Sequence, residues 1–211
     1  MYQAKRAERG TFSFFLEEMN RLAQGRLMLE TELRKALTYS GLELHYQPQI
    51  DLNSGRLVGV EALARWAHPT LGAISPMQFI PLAEECGLIN DLSQWVLREA
   101  CEQLAEWQQH GLQVPSMSIN LSPINFHNLN LATLIAQQLQ RYGLQPANLC
   151  VEVTEGVLLS DSLGAEQAIR DLHALGVRLA IDDFGTGYSS LGYLRHLPIS
   201  ELKLDKSFVD D

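Results

Sequence analysis

Cysteine is scarce: the 211 residues hold three, Cys86, Cys101 and Cys150, far apart and with no Cys-x-x-Cys pair. That excludes a disulfide framework and a zinc ribbon, and fits a reducing, cytoplasmic setting. Positive charge is also in short supply, with 16 Lys+Arg against 25 Asp+Glu and a net charge of −9. Such a balance lacks the positive field needed to hold DNA, RNA or an anionic membrane surface. No apolar run approaches the roughly 18–20 residues of a membrane span, so the chain itself has no membrane segment. The N-terminal Met1–Gly10 stretch is too polar for a signal peptide, although a full-length protein could be tethered through an upstream region. The six histidines form no His-x-His or His-Glu-x-x-His pair, and no Ser–His–Asp arrangement can be argued. Gly185-Thr186-Gly187 lacks the Gly-Lys-Ser/Thr ending of a phosphate-binding Walker loop and reads as a rim loop. What the chain does have is core material: 46% hydrophobic and 19% charged residues, which suits a folded domain.

Periodicity divides the chain. Phe15, Met19, Leu22, Leu29 and Leu33 recur at helical spacing with charged residues between them. This helix could form a coiled coil, but Arg26 breaks the heptads, which favours a connecting helix packed on its own domain. After Gly41, Leu42, Leu44 and Tyr46 alternate with polar residues as a strand. The turn Asp51–Gly55 leads into a second strand, Leu57–Val60. So short a connection makes a hairpin, so these two strands run antiparallel. From there helices and strands alternate. Helices are expected after Ser75-Pro76, over Leu92–Trp107, Leu131–Tyr142, Ala165–Leu175 and Ser189–Leu197. Strands are expected at Ser116–Leu121, Leu149–Val153, Val177–Ile181 and Glu201–Leu204. That order predicts an α/β fold with a mainly parallel sheet and helices outside.

The strands end in acids and amides: Glu61, Asn120, Glu152, and Asp182 with Asp183, while Lys203 and Asp205 interleave with Leu202 and Leu204. In parallel α/β folds those ends line one rim, where active sites sit. An isolated Asn such as Asn120 could be only a helix cap or Asx turn. Glu152 between Val151 and Val153 is a carboxylate within a buried strand, costly unless paired or metal-bound. Asp182 and Asp183 are adjacent acids after an apolar strand, and a cation would relieve their repulsion. Together the four carboxylates and one amide favour a hard-metal site, Mg²⁺ or Mn²⁺ rather than zinc. Two ions about 3.5–4 Å apart sharing Asp182 would make a phosphate-cleaving site. Lys203 either orients or deprotonates the attacking water, or forms a salt bridge with Asp205 or Asp183. Trp66, Trp95 and Trp107 read as core.

The motifs resemble the EAL domains, bacterial phosphodiesterases for the second messenger cyclic di-GMP. The match runs through Tyr46-Gln47-Pro48, Glu61-Ala62-Leu63-Ala64-Arg65-Trp66 and Ser118-Ile119-Asn120-Leu121-Ser122. It continues through Glu152-Val153-Thr154-Glu155, Asp182-Asp183-Phe184-Gly185-Thr186-Gly187 and Leu202-Lys203-Leu204-Asp205. The resemblance implies a modified TIM (β/α)8-type barrel with an antiparallel first strand. It implies that Glu61, Asn120, Glu152 and Asp182 bind one metal, and Asp182 and Asp183 a second. Lys203 would assist the nucleophilic water and Asp205 would support the site. Arg65 would contact a substrate phosphate, and Gln47 and Leu63 would line the nucleotide pocket. Glu155 would brace the loop after Asp183 and couple it to a homodimer. The product would be linear pGpG. The alternative is a non-catalytic regulatory or receptor module that binds cyclic di-GMP without cleaving it.

Residues 1–12 resemble the C-terminal tail of a GGDEF domain, the cyclase partner often fused ahead of EAL. That leaves 13–40 as a linker helix and 41–211 as the EAL domain. Only six of the family's eight strands are counted, and the last two βα units of the pattern are not found. On this reading the barrel is truncated, its activity doubtful as it stands, and a sheet edge exposed.

Overall fold

The computed structural model describes residues 17–128, 130–154, 157, 163–185 and 197–208. Helix α1 (Glu17–Thr38) precedes β1 (Leu42–Ile50), β2 (Leu57–His68) and the short β3 (Gly72–Ile74). Then follow α2 (Pro76–Glu85), α3 (Ile89–Gln109), β4 (Met117–Asn120), α4 (Leu131–Tyr142) and β5 (Leu149–Thr154). Helix α5 (Leu163–Leu175), β6 (Arg178–Phe184) and β7 (Glu201–Leu204) complete the set. The expected tail at 1–12, the helix at 189–197 and Glu155 lie wholly or almost wholly outside the described residues.

β1 and β2 are antiparallel, and every later step of the path β1-β2-β4-β5-β6-β7 is parallel. The hairpin follows from the Asp51–Gly55 turn: Ser54 N–H donates to Asp51 Oδ1 at 2.7 Å, and Gly55 takes φ +67°. Two details differ from the sequence expectation. β2 does not stop at Val60 but runs to His68, because β1 and β3 supply antiparallel partners on both sides of its second half. β3 is a seventh strand among the described residues, and three residues are too few to show a period.

Alternation decides which side chains enter the core. On β1, Leu42, Leu44 and Tyr46 pack inward, and the Tyr46 ring meets Trp107 of α3 edge-on at 4.8 Å. Burial, then the charges of Glu99 and Glu106, pushes the Tyr46 hydroxyl up to about 12. On β2, Val60, Ala62 and Trp66 face the helices. β5 is buried along Leu149–Val153, as a central parallel strand covered on both faces must be. Helix α4 stops where Gly143 turns left-handed at φ +68°. The second half of α1 is tied to this core through Leu33 and Ala36, whereas Leu27 and Met28 are exposed. Among the described residues β7 is bonded only to β6, and Leu204 is 63% exposed. No described helix is long and apolar enough to cross a membrane.

Candidate functional site

The parallel registers carry the polar residues to one end of the sheet. Glu61 lies beside Ser118, Asn120 beside Glu152, and Thr154 beside Asp182. The stagger between neighbours is the offset a curved parallel sheet builds as it closes. The result is a cluster in which Glu61, Glu152 and Asp182 bring carboxylate oxygens within 4.8 Å of one another. Asn120 joins it, donating from Nδ2 to Glu61 Oε1 at 2.8 Å. Asn120 is therefore not the helix cap of the simplest reading. That part belongs to Ser122, whose hydroxyl accepts from Ile124 N–H and whose own N–H donates to Asn125 Oδ1.

Lys203 stands among these acids. Its Nζ lies 2.5 Å from Glu152 Oε2, 3.0 Å from Glu61 Oε2 and 3.1 Å from Asp182 Oδ1. The salt bridge open on sequence grounds is thus made at least to Glu152, Glu61 and Asp182. Burial would by itself lower the ammonium's pKa, but the hydrogen bonds and charges of Glu152 and Glu61 outweigh it and hold Lys203 above the ordinary lysine range.

Glu152 is 1% exposed, and its Oε1 has no hydrogen-bond partner among the described residues. Burial pushes its carboxyl up to about 7, the charges of Glu61 and Asp182 adding to the rise and Lys203 opposing it. This folded-state value lies above the ordinary 4.5. The folded protein therefore binds the proton more tightly between those values, and its stability falls as pH rises through that window. Denaturant titrations in EDTA from pH 5 to 8 are expected to show the decline, by less than the ~1.4 kcal/mol per pH unit that one proton allows. Glu152→Gln is expected to flatten it. An equal slope in both proteins would reject this assignment.

Asp183 lies outside the three-carboxylate group and takes a left-handed φ of +53°. Burial, then the charges of Asp182 and Asp205, raises its pKa. Asp205 accepts from Ser207 N–H at 2.9 Å and so caps the short turn Lys206–Phe208. On the β1–β2 hairpin, Gln47 is paired with Glu61, while Leu63 and Arg65 follow Glu61 at steps of two. Glu61, Leu63, Arg65 and Gln47 therefore share one face of the hairpin. Arg65 is held by a 2.9 Å bond to its neighbour's carbonyl, Ala64 O.

The EAL domain family matches residues 30–211. The chain belongs to that family. The bifunctional diguanylate cyclase/cyclic di-GMP phosphodiesterase MucR of Pseudomonas aeruginosa is 44% identical over 211 residues, 100% of this chain and 31% of that protein. The solved PaMucR phosphodiesterase, a c-di-GMP complex, superposes with a TM-score of 0.82 at 45% identity, covering 86% of this chain and 74% of that one. The FimX EAL domain of Xanthomonas citri, solved with c-diGMP, gives 0.77 at 29% identity, covering 89% and 73%. The chain spans about a quarter to a third of the curated relatives it matches. These likenesses make the fold that of the EAL domains, a TIM-like α/β barrel.

Two supports of this EAL domain were not singled out from the sequence. A polar clamp fixes the loop after Asn120: Asn125, 3% exposed, accepts from Ser93 Oγ and donates to Asn90 Oδ1, while Ser122 Oγ donates to Glu84 Oε1. The spacing Ser122-Pro123-x-Asn125 is a capping-box signal that could have revealed it. The second is the pairing of Gly185 with Phe208. Gly185 takes φ +100°, and a Cβ there would lie 2.5 Å from Phe208 Cζ. Gly185→Ala is therefore expected to shift the segment carrying Asp182 and Asp183; if the site hydrolyses cyclic di-GMP as proposed below, turnover falls about tenfold or more with the fold retained. Steady-state kinetics beside a circular dichroism spectrum check it, and wild-type turnover would refute it.

Proposed function

We propose that this EAL domain carries a metal-dependent phosphodiesterase site that hydrolyses cyclic di-GMP to linear pGpG. The observation that carries the reading is the convergence of Glu61, Glu152 and Asp182 at one end of the sheet. The donors suit a hard divalent cation such as Mg²⁺ or Mn²⁺: every one is an oxygen, and buried Glu152 Oε1 lacks a protein partner among the described residues. On this reading Glu61, Asn120, Glu152 and Asp182 hold one ion, and Asp182 with Asp183 a second. When bound, such ions supply Lewis-acid polarisation of a phosphoryl oxygen and of a water.

The remaining steps fall to the chain's own residues. Hydrolysis bonds a water oxygen to phosphorus and opens the P–O bond to the ribose 3′ oxygen, which leaves with a proton. Lys203 assists the attacking water, and Asp205 braces the turn beside Asp183. Arg65 takes a non-bridging phosphate oxygen, and Gln47 and Leu63 form the nucleotide wall on the same hairpin face. Glu155 is proposed to brace the loop after Asp183 and to couple it to a homodimer contact. Residues 13–40 are proposed as the linker helix from a preceding GGDEF-like domain, with 1–12 as that domain's tail.

The deciding experiment incubates the purified protein with cyclic di-GMP and Mg²⁺ or Mn²⁺ and separates the products by chromatography. Appearance of pGpG, abolished by EDTA, is the expected result. Calorimetric binding of cyclic di-GMP with no product under any metal condition would replace the enzyme with a receptor.

A further inference from the structure

Among the described residues three carboxylates and the Lys203 ammonium meet at the centre of the site, and the chain's own cation sits where a metal's charge is needed. Lys203 Nζ is within 3.1 Å of oxygens from Glu61, Glu152 and Asp182, residues drawn from three different strands. Arg65, the nearest arginine in the motif, is turned to a backbone carbonyl instead. The lysine is anchored on β7, and its side chain is 27% exposed, so it is not sealed within the cluster. Two cations drawn to one set of oxygens repel each other strongly in a partly buried site. Each carboxylate oxygen given to Nζ is also one withdrawn from another cation.

We infer that Lys203 is the internal counter-ion of the carboxylate cluster, and that a divalent cation binding there competes with the lysine for those carboxylates and weakens its contacts. The inference rests on the metal reading above and adds an opposed coupling to it: the lysine lowers metal affinity, and the metal loosens the lysine. Because coupling between two occupants of a site is reciprocal, either can be used to read the other.

The test needs no turnover. Calorimetric titration of Mn²⁺ at pH 8 is expected to show Lys203→Met binding about tenfold tighter than wild type, within the ~5–150-fold span usual for coupled sites. Lys203→Arg, which keeps the charge, is expected to stay near the wild-type affinity. In the wild-type protein, brief acetylation read by mass spectrometry is expected to modify Lys203 several-fold faster with Mn²⁺ than in EDTA. This second measurement stands even if Lys203→Met does not fold. Measurable Mn²⁺ binding with equal or weaker affinity in Lys203→Met, or acetylation of Lys203 indifferent to Mn²⁺, would overturn the inference and leave the metal site intact. No Mn²⁺ binding to any of the three proteins would overturn both.

Discussion

Glu61→Ala is expected to reduce cyclic di-GMP hydrolysis by at least ~10³-fold, to the background of the assay, while the protein stays folded. One carboxylate serves three functions there. It contributes to the acidic cluster with Glu152 and Asp182, accepts from Asn120 Nδ2 at 2.8 Å, and pairs with Lys203 Nζ at 3.0 Å. On the proposed reading its loss removes a metal donor, and it also frees the amide of Asn120 and the ammonium of Lys203. Glu61→Gln keeps the volume and separates charge from packing. It should retain the melting temperature and still lose most of the turnover. Activity within tenfold of wild type in either variant, at saturating Mn²⁺, would remove Glu61 from the machinery.

Trp66→Ala carries the largest expected cost in stability, about 3–5 kcal/mol from the cavity it leaves. Trp66 is 2% exposed and meets the rings of Phe79 at 5.9 Å and His68 at 6.0 Å, both edge-on. It sits in the half of β2 that pairs with Leu42 on one side and Ile74 on the other. Losing the indole therefore loosens the hairpin that carries Gln47, Glu61, Leu63 and Arg65. Against the roughly 5–15 kcal/mol that holds a domain folded, that is a large fraction. Urea denaturation measures it, and Trp66→Phe, which keeps a ring in place, should lose less. A loss below ~1 kcal/mol for Trp66→Ala would show that Phe79 and its neighbours close over the gap.

Much of the architecture was legible in the chain. The period-two run after Gly41 and the turn Asp51–Gly55 announce the antiparallel hairpin, and β7 and α4 fall at their expected residues. Elements with a strong period and clear punctuation declare themselves locally. β2 is the exception. Its second half, Glu61–His68, is a strand because β1 and β3 lie on either side of it. Partners distant in sequence leave no local mark.

The site divides the same way. That Glu61, Asn120, Glu152, Asp182 and Lys203 are unusual could be seen from an acid or amide following each apolar run, since a strand buries a charge only where something answers it. Which carboxylates converge, and which of them answer Lys203, depended on the register and stagger of five strands spread over more than a hundred residues. The antiparallel hairpin, most of the strand and helix order and the set of residues at the sheet's end could be read from the chain alone, because hydrophobic period and turn chemistry are local. That Lys203 faces Glu61, Glu152 and Asp182 together, and that Asp183 lies outside their group of three carboxylates, became fixed only in three dimensions. Pairwise electrostatics falls off over a few ångströms, and those distances exist only once the sheet has curved.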